Sequence, residues 1–524
     1  MQGDCGLQRE ASTHGGESVL TSIGQIPLQA AARYGDATAL AIGGQEFSFA
    51  DLDQRVGRLA NGLHQLGVRE GDRVTLYSPN CWEWIVSYYA VLRLGAVINP
   101  INMMLTPEET EYVVRDCGAR VILASAEKGQ SILGLKGPSG VDEIILFGSN
   151  APTEARCLDE LLEGQSPDRD PVEVPAEALS TIAYTSGTTG HPKGAMLSHR
   201  SVMLNAAMTA QMHLRSSRDT TVSALPLPHV YGNVVMNGAV QYGMTLVCHA
   251  VFKADEILAS IEKYRATMLE GVPTMYMYLL DDPKLDETDL SSLTRCTVGG
   301  QSMPVAKIEE VEARFDCPLI ELWGMTELGG LGTTHPVYGP NKHGSIGPAI
   351  PYTEARVADV DNASRTLPRG EVGELMIRGP IVMQGYYGNE VATKEAIEED
   401  GWLHTGDLAK MDQDGCAYIV DRKKDMILTA GYNVYPAELE RVVAAHPSVA
   451  MVAVGSQPDE VKGEIAKAYV VLKQGATGDA DSILEFCRLH LAAYKVPRKL
   501  QFVDDLPKTS TGKIMRRRLS ELDG

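Results

Sequence analysis

"AYTSGTTGHPKGAMLSH", residues 183–199, decides how the chain is read. It follows the apolar run Leu179 to Ala183, which has the length and composition of a buried strand. What comes next is almost all backbone, hydroxyl and one positive charge. Thr185, Ser186, Thr188 and Thr189 supply hydroxyl donors, Gly187 and Gly190 let the backbone turn its N–H groups inward, and Lys193 adds the charge. A strand feeding such a loop suits phosphate oxygens. The pattern is not that of a P-loop, which needs a Gly-Lys-Ser/Thr triplet after an earlier glycine at fixed spacing. From this segment alone, a Ser/Thr/Gly-rich connector is the plain alternative.

The sequence on either side repeats the strand-then-helix theme. "RVTLYS" (73–78), "RVILAS" (120–125), "EIILFG" (143–148), "TVSALPL" (221–227), "ATMLEGV" (266–272) and "PLIELWGM" (318–325) read as strands, several too uniformly apolar to be half-exposed. Between them lie helix candidates such as Leu52 to Leu66, with Leu52, Val56, Leu59, Leu63 and Leu66 on one face and Ser48 with Asp51 as starting cap. Alternation of this kind predicts an α/β fold with mostly parallel sheets. From Gly344 to about Asp421 the texture shifts to short, glycine-punctuated strands such as "GELMIRGPIVMQGYYG", which predicts a small β-barrel or antiparallel section. A compact α+β domain follows, ending in a loop and a basic helix from Ile514 to Leu522.

Composition narrows the class of function. At 524 residues the chain exceeds one ordinary core, and 44% hydrophobic residues suffice for several. A formal net charge of −21 argues against nucleic acid and against anionic membrane surfaces as partners. The nine cysteines are scattered without C-x-x-C pairs, so neither a zinc cage nor a disulfide framework is indicated. No apolar signal core or run of membrane-spanning length is evident, and the last residues are not a Ser-Lys-Leu address, so a cytoplasmic protein is expected.

Five motifs in order resemble those of the adenylate-forming superfamily of acyl-CoA synthetases, peptide-synthetase adenylation domains and firefly luciferase. "YTSGTTGHPKG" (184–194) is similar to its phosphate loop and "LWGMTE" (322–327) to its adenine and magnesium motif. "WLHTGD" (402–407) and "DRKKDMI" (421–427) are similar to its ribose and hinge motifs, and "PKTSTGKI" (507–514) to its C-terminal lysine loop. The resemblance implies a large N-terminal domain (1–423) binding ATP and acid, with stacked sheets, and a small mobile C-terminal domain (424–524). It also implies two half-reactions: a carboxylate attacks the α-phosphorus of ATP, releasing pyrophosphate, and a thiol then displaces AMP from the acyl-adenylate. ATP, Mg²⁺ and coenzyme A are the expected cofactor and substrates, with a small carboxylic acid as the remaining partner; a homodimer is among the expected assemblies.

The residues carry matching chemistry. Two anions meet in the first step, so positive charge is needed where negative charge builds. Lys513, after Gly512 on a Thr/Ser/Gly loop, is the candidate, with a solvated lysine beside Arg516, Arg517 and Arg518 as the plain alternative. Lys193 serves the phosphates. Glu327 offers a hard oxygen to Mg²⁺ and Thr326 a hydroxyl to a phosphate. Gly324 and Met325 complete the nucleotide motif. Asp407 can accept both ribose hydroxyls with Arg422 beside it; a turn Asp and a salt-bridged Arg are the alternatives. Trp323 stands where the family usually has Tyr, and an indole also stacks on adenine. The hinge position is Lys424, and Gly431 would lie close to the pantetheine arm.

"LPLPHVYGNVV" (225–235) and "TVGGQSMP" (297–304) resemble the two walls of the family's acyl pocket. His229, Tyr231, Asn233, Gly299, Gly300, Gln301, Met325, Leu328 and Gly332 are therefore pocket candidates. The Gly299–Gly300 pair and the later "ELGGLG" leave space for something wider than acetate, and no Asp suited to an amino-acid ammonium is evident. A hydrophobic aliphatic acid of medium or long chain, or an aromatic acid, is expected, with Gln301 placed to close the pocket or hydrogen-bond a substituent. The leading reading is a free-standing AMP-forming acid–CoA ligase, since the sequence stops soon after the lysine loop. The alternatives are an enzyme that loads a separate carrier protein, and a non-catalytic or luciferase-like relative.

Overall fold

The structure, a computed structural model, describes residues 20–148, 154–185, 192–429, 432–459, 462–473, 475–508 and 514–523. Two large sheets dominate. In the first, Glu143–Phe147, Val121–Ser125, Arg73–Tyr77, Val97–Pro100 and Leu179–Thr185 run parallel, and Lys193–Ser198 closes one edge antiparallel to Leu179–Thr185. In the second, Leu319–Met325, Arg295–Val298, Met268–Gly271, Thr220–Ser223, Thr245–Cys248 and Thr38–Ile42 are parallel, with antiparallel hairpin partners at both edges. The fold is thus α/β with mostly parallel sheets, as the alternation predicts. Helix Phe49–Gln65 shows how local sequence sets an element. The Ser48 hydroxyl accepts from Asp51 N–H at 3.0 Å while the Asp51 carboxylate accepts from Ser48 N–H at 3.1 Å. Its Leu52, Val56, Leu59 and Leu63 are buried in the main core.

The glycine-punctuated section is not a closed barrel. Glu354–Ala358, Gly373–Arg378, Leu403–Met411 and Ala417–Arg422 form a four-stranded antiparallel sheet, open at both edges. One face of this short meander is closed by packing Val357, Leu375, Ile377, Leu403 and Ala409 into the main core, so it needs no closure of its own. After Arg422 a single 3₁₀ turn, Lys423–Asp425, leads into a separate five-stranded sheet with its own core around Ile427, Leu439, Val454 and Val470. The segment predicted as a basic helix from Ile514 to Leu522 is a 3₁₀ helix, Arg516–Asp523, seated by Leu519 against Ala453 and Tyr469. Its end is held by Lys467, whose ammonium is 2.6 Å from Asp523. No helix among the described residues is long and apolar enough to cross a membrane.

Candidate active site

Strands Leu179–Thr185 and Lys193–Ser198 pair antiparallel, with Thr185 opposite Lys193. Thr185 Oγ1 is 3.5 Å from the carbonyl oxygen of Lys193. Ser186, Gly187, Thr188, Thr189 and Gly190 lie outside the described residues, as do Gly431 and Lys513. Beyond Lys193 the edge strand pairs with the segment 384–387: Gln384 N–H donates to Met196, Met196 N–H to Gly385, and Tyr387 N–H to Gly194. This pairing delivers Tyr386, a residue the motifs did not single out. The Lys193 ammonium lies 5.2 Å from the Tyr386 ring centroid, and the Tyr386 hydroxyl donates to Glu327 Oε1 at 2.8 Å.

Glu327 sits in the 3₁₀ turn Thr326–Leu328 that follows strand Leu319–Met325, and its carbonyl is fixed by Met383 N–H at 2.8 Å. Burial pushes its carboxyl above the ordinary range, opposed by the Tyr386 hydroxyl and by the charges of Arg422 and Lys193. Among the described residues no basic side chain forms a direct ion pair with it. A buried carboxylate without a direct ion-pair partner fits a divalent cation that takes one protein oxygen and keeps the rest of its shell for phosphate and water. No cluster of three or more acidic, His or Cys ligands occurs among the described residues, so no all-protein cage competes with this reading.

Four residues earlier, on the strand that leads into this turn, Trp323 points its indole N–H at Asp407 Oδ2, 2.8 Å away. Arg422 lies opposite Asp407 in the meander sheet, and its Nε is 3.0 Å from Asp407 Oδ1. The Asp407 loop is itself braced: its N–H donates to Thr405 Oγ1, and Gly406 N–H donates to Glu374. Glu374, also missed by the sequence reading, further accepts from Lys423 at 2.9 Å and lies 3.2 Å from His404 Nδ1. Thus six residues spread over 230 positions of sequence form two contact groups, Lys193–Tyr386–Glu327 and Trp323–Asp407–Arg422, with the charge of Arg422 acting on the Glu327 carboxylate.

The acyl-pocket candidates divide. His229 caps helix Val230–Tyr242, its Nδ1 accepting from Tyr231 N–H. Tyr231 and Asn233 are buried and bonded inward: the Tyr231 hydroxyl is 2.6 Å from Thr297 Oγ1, and Asn233 Oδ1 accepts from Tyr88 and Asn237. Thr297 in turn donates to Glu270, which forms a fully buried ion pair with Arg215 at 2.9 Å. The space inferred from glycines is largely filled. A Cβ on Gly299 would meet Leu322 Cδ1 at 2.2 Å, on Gly330 Val234 Cγ2 at 2.4 Å, and on Gly332 the Trp323 ring at 2.7 Å. These are close-approach glycines, and Gly332 is what lets the indole lie down. Gly324 is another, its absent Cβ replaced by the Gly330 carbonyl at 2.1 Å. Gly300 is exposed, and a Cβ there would meet only Val272 at 3.5 Å, but its φ of +86° would strain any larger residue. Met325 and Gln301 are half-buried, and Leu328 is fully buried.

Comparison with known proteins gives the family. A family model described as AMP-binding enzyme matches residues 28–387, and one described as AMP-binding enzyme C-terminal domain matches 438–513. A long-chain-fatty-acid–CoA ligase of Bacillus subtilis (strain 168) is 35% identical over 95% of this chain and 93% of its own. A feruloyl-CoA synthase of an Amycolatopsis species is 35% identical over 94% and 97%. MatB from Rhodopseudomonas palustris, 33% identical over 95% of this chain and 98% of its own, superimposes with a TM-score of 0.89 in its ATP-bound crystal structure and 0.79 in its apo structure. Sequence and shape agree over nearly the whole length, and on that footing the chain belongs to the AMP-binding enzyme family as an acyl-CoA ligase, an acid–thiol ligase that uses ATP and coenzyme A.

Proposed function

We propose that this ligase activates a hydrophobic acid, either a medium- or long-chain aliphatic acid or an aromatic one, through an acyl-adenylate. The observation that carries the nucleotide half of the reading is the convergence of two contact groups, Lys193–Tyr386–Glu327 and Trp323–Asp407–Arg422, through the charge of Arg422 on Glu327. In this reading Lys193 and Thr326, with Thr185 and the loop 186–190, face the phosphates, and Glu327 holds Mg²⁺, which neutralises phosphate charge when bound. Trp323 stacks on adenine, with Gly324 and Met325 lining its edge, and Asp407 accepts the ribose hydroxyls. The carboxylate oxygen attacks the α-phosphorus and pyrophosphate leaves; the CoA thiol then attacks the acyl carbon and AMP leaves.

For the acid, support comes from the relatives named for a fatty acid and for ferulate. The division at 423/424 is supported by contacts: Lys423 is tied back to Glu374, whereas Asp425 is tied forward to Arg516. The closer superposition on the ATP-bound than on the apo form of one relative supports taking the present domain arrangement as that of the adenylate-forming step. The test is Mg²⁺-dependent ATP–pyrophosphate exchange and CoA acylation with octanoate, palmitate, ferulate and benzoate. AMP as product with at least one of these acids is expected, and release of ADP, or activity confined to small polar acids, would overturn the reading.

A further inference from the structure

Asp421 occupies an unusual position at the junction of the two domains. Its backbone belongs to the N-terminal side, since it is paired with Leu408 in the meander sheet. Its carboxylate nevertheless reaches the C-terminal side: Oδ2 accepts from Ala437 N–H at 2.7 Å, in the first turn of helix Pro436–Ala444, and Oδ1 lies 3.8 Å from Arg516 Nη1. That N–H is one of the donors a helix leaves without an internal partner, and a carboxylate there also meets the positive end of the helix dipole. The Asp421 side chain is 1% exposed, so no water replaces these partners.

Everything on the other side of the contact moves together. Arg516 makes a two-pronged contact with Glu440, at 2.7 and 3.1 Å, and pairs with Asp425 at 3.1 Å. Glu440 lies on the same helix as Ala437 and accepts from Val454 N–H at 2.9 Å, fixing it to the C-terminal sheet. Asp425 follows Lys424. A rotation about residue 424 would therefore carry Ala437, Glu440, Arg516 and Asp425 as one body and leave Asp421 behind, held by its strand. Among these contacts, only those made by Asp421 would break.

We propose that Asp421 is a positioning residue that latches the C-terminal domain in the orientation seen here, by capping helix Pro436–Ala444 and pairing with Arg516 across the hinge. The proposal rests on the two-step reading above, in which this orientation serves adenylate formation. Releasing the latch costs a buried charge-assisted hydrogen bond, and removing it tilts the balance toward the other orientation. Asp421 touches no substrate in this scheme and acts through the placement of a domain.

The test compares wild type with Asp421→Ala in both half-reactions. Using octanoate and ferulate, ATP–pyrophosphate exchange should fall about tenfold, the scale set by loss of one charge-assisted hydrogen bond. CoA acylation from supplied octanoyl-adenylate or feruloyl-adenylate should hold or rise. Equal loss in both half-reactions, or no change in either, would overturn the latch. Should Asp421→Ala fail to fold, Asp421→Asn keeps an acceptor for Ala437 while losing the charge, and the same divergence is expected at smaller size. Hydrogen–deuterium exchange of the free protein separates this proposal from the functional reading. If wild type activates none of the acids, the latch still requires faster exchange in residues 436–440 and 514–519 of the variant with 403–411 unchanged. Identical exchange in wild type and variant would sink it.

Discussion

Trp323 Nε1 donates to Asp407 Oδ2 at 2.8 Å while Arg422 holds Asp407 Oδ1 at 3.0 Å, so each carboxylate oxygen has one fixed partner. An ionised carboxylate offers about four lone-pair sites. One on each oxygen is thus committed to the protein and one on each remains, which matches a ribose diol. In the proposed reading the indole thus supplies both a donor that aims the ribose acceptor and a ring for adenine.

Trp323→Phe keeps an aromatic face and removes the donor. Since Arg422 still holds the other oxygen, the lower end of a charged hydrogen bond is expected, about a tenfold rise in the KM for ATP with little change in kcat. The penalty should shrink with 2′,3′-dideoxy-ATP, which gives Asp407 nothing to accept. A penalty of the same size with both nucleotides would mean that the indole acts by stacking alone.

Glu327 has a carboxyl that burial holds above its ordinary range, so the folded chain keeps this proton to higher pH than the unfolded chain does. Stability then falls as pH rises through the window between the two values, the sign opposite to that of a salt-bridged acid. Glu327→Gln removes this cost and preserves an acceptor for Tyr386. Without nucleotide at pH 7.5 its Tm should equal or exceed that of wild type, by about 1 °C or more. Mg²⁺ and ATP together should raise the wild-type Tm and leave the variant's nearly unmoved, with exchange activity lowered about 10²- to 10³-fold. A variant less stable than wild type that still responds to Mg²⁺–ATP would remove Glu327 from the metal role.

His404 lies between Glu374, 3.2 Å from its Nδ1, and Glu398, 2.8 Å from its Nε2; the hydrogen bond to Glu374 raises its pKa against the opposing effect of burial. Glu374 is held down at about 2: burial opposes ionisation, but His404 and Lys423 outweigh it. A His with a raised folded pKa contributes stability that is complete below its ordinary value near 6.5 and is lost as pH rises through the folded value. Between pH 6 and pH 9, wild type should therefore lose more thermal stability than His404→Gln, by about 1 to 3 °C. Because Glu374 also accepts from Gly406 N–H, the KM for ATP should rise over the same interval in wild type and stay flatter in the variant. Parallel curves for both proteins would mean that His404 does not titrate there.

Much of this architecture was legible in the chain because its signals are local. The Ser48–Asp51 cap and the leucine stripe define their helix, and the apolar runs are strands because both faces are covered. The candidate nucleotide residues were picked out for a different reason: each sits in a short motif whose residue types match phosphate, metal and ribose chemistry. What escaped was set by tertiary pairing. Tyr386 reaches Glu327 only because the segment 384–387 adds to the edge of the Lys193 strand, and Glu374 braces the Asp407 segment from the neighbouring strand, 33 positions earlier in the sequence. Glycines misled as a measure of space. Gly299, Gly330 and Gly332 look open in sequence, yet each has a neighbour where its Cβ would stand.

The last prediction concerns the alternation between two steps, which rests on Lys513 and Lys424 having separate duties in one domain. Lys513→Ala removes the charge that would offset the build-up on the α-phosphate, and loss of one such preorganised group lowers rate by about 10² to 10³. Pyrophosphate exchange should fail by that factor, while CoA acylation from a supplied acyl-adenylate survives, since the rotated domain no longer presents this lysine. Lys424→Pro should do the reverse. Proline fixes φ near −65°, so a turn that must visit two backbone conformations is held in one. The 3₁₀ turn Lys423–Asp425 sits between Lys423, anchored to Glu374, and Asp425, anchored to Arg516, so freezing it joins the two anchored bodies rigidly. Exchange should persist and CoA transfer collapse. Asp421→Ala offers the internal control, because it unlatches the domain without stiffening the turn: combined with Lys424→Pro it should leave transfer as low as in the proline variant alone. Transfer restored in the double variant would show that the latch, and not the turn, limits the rotation.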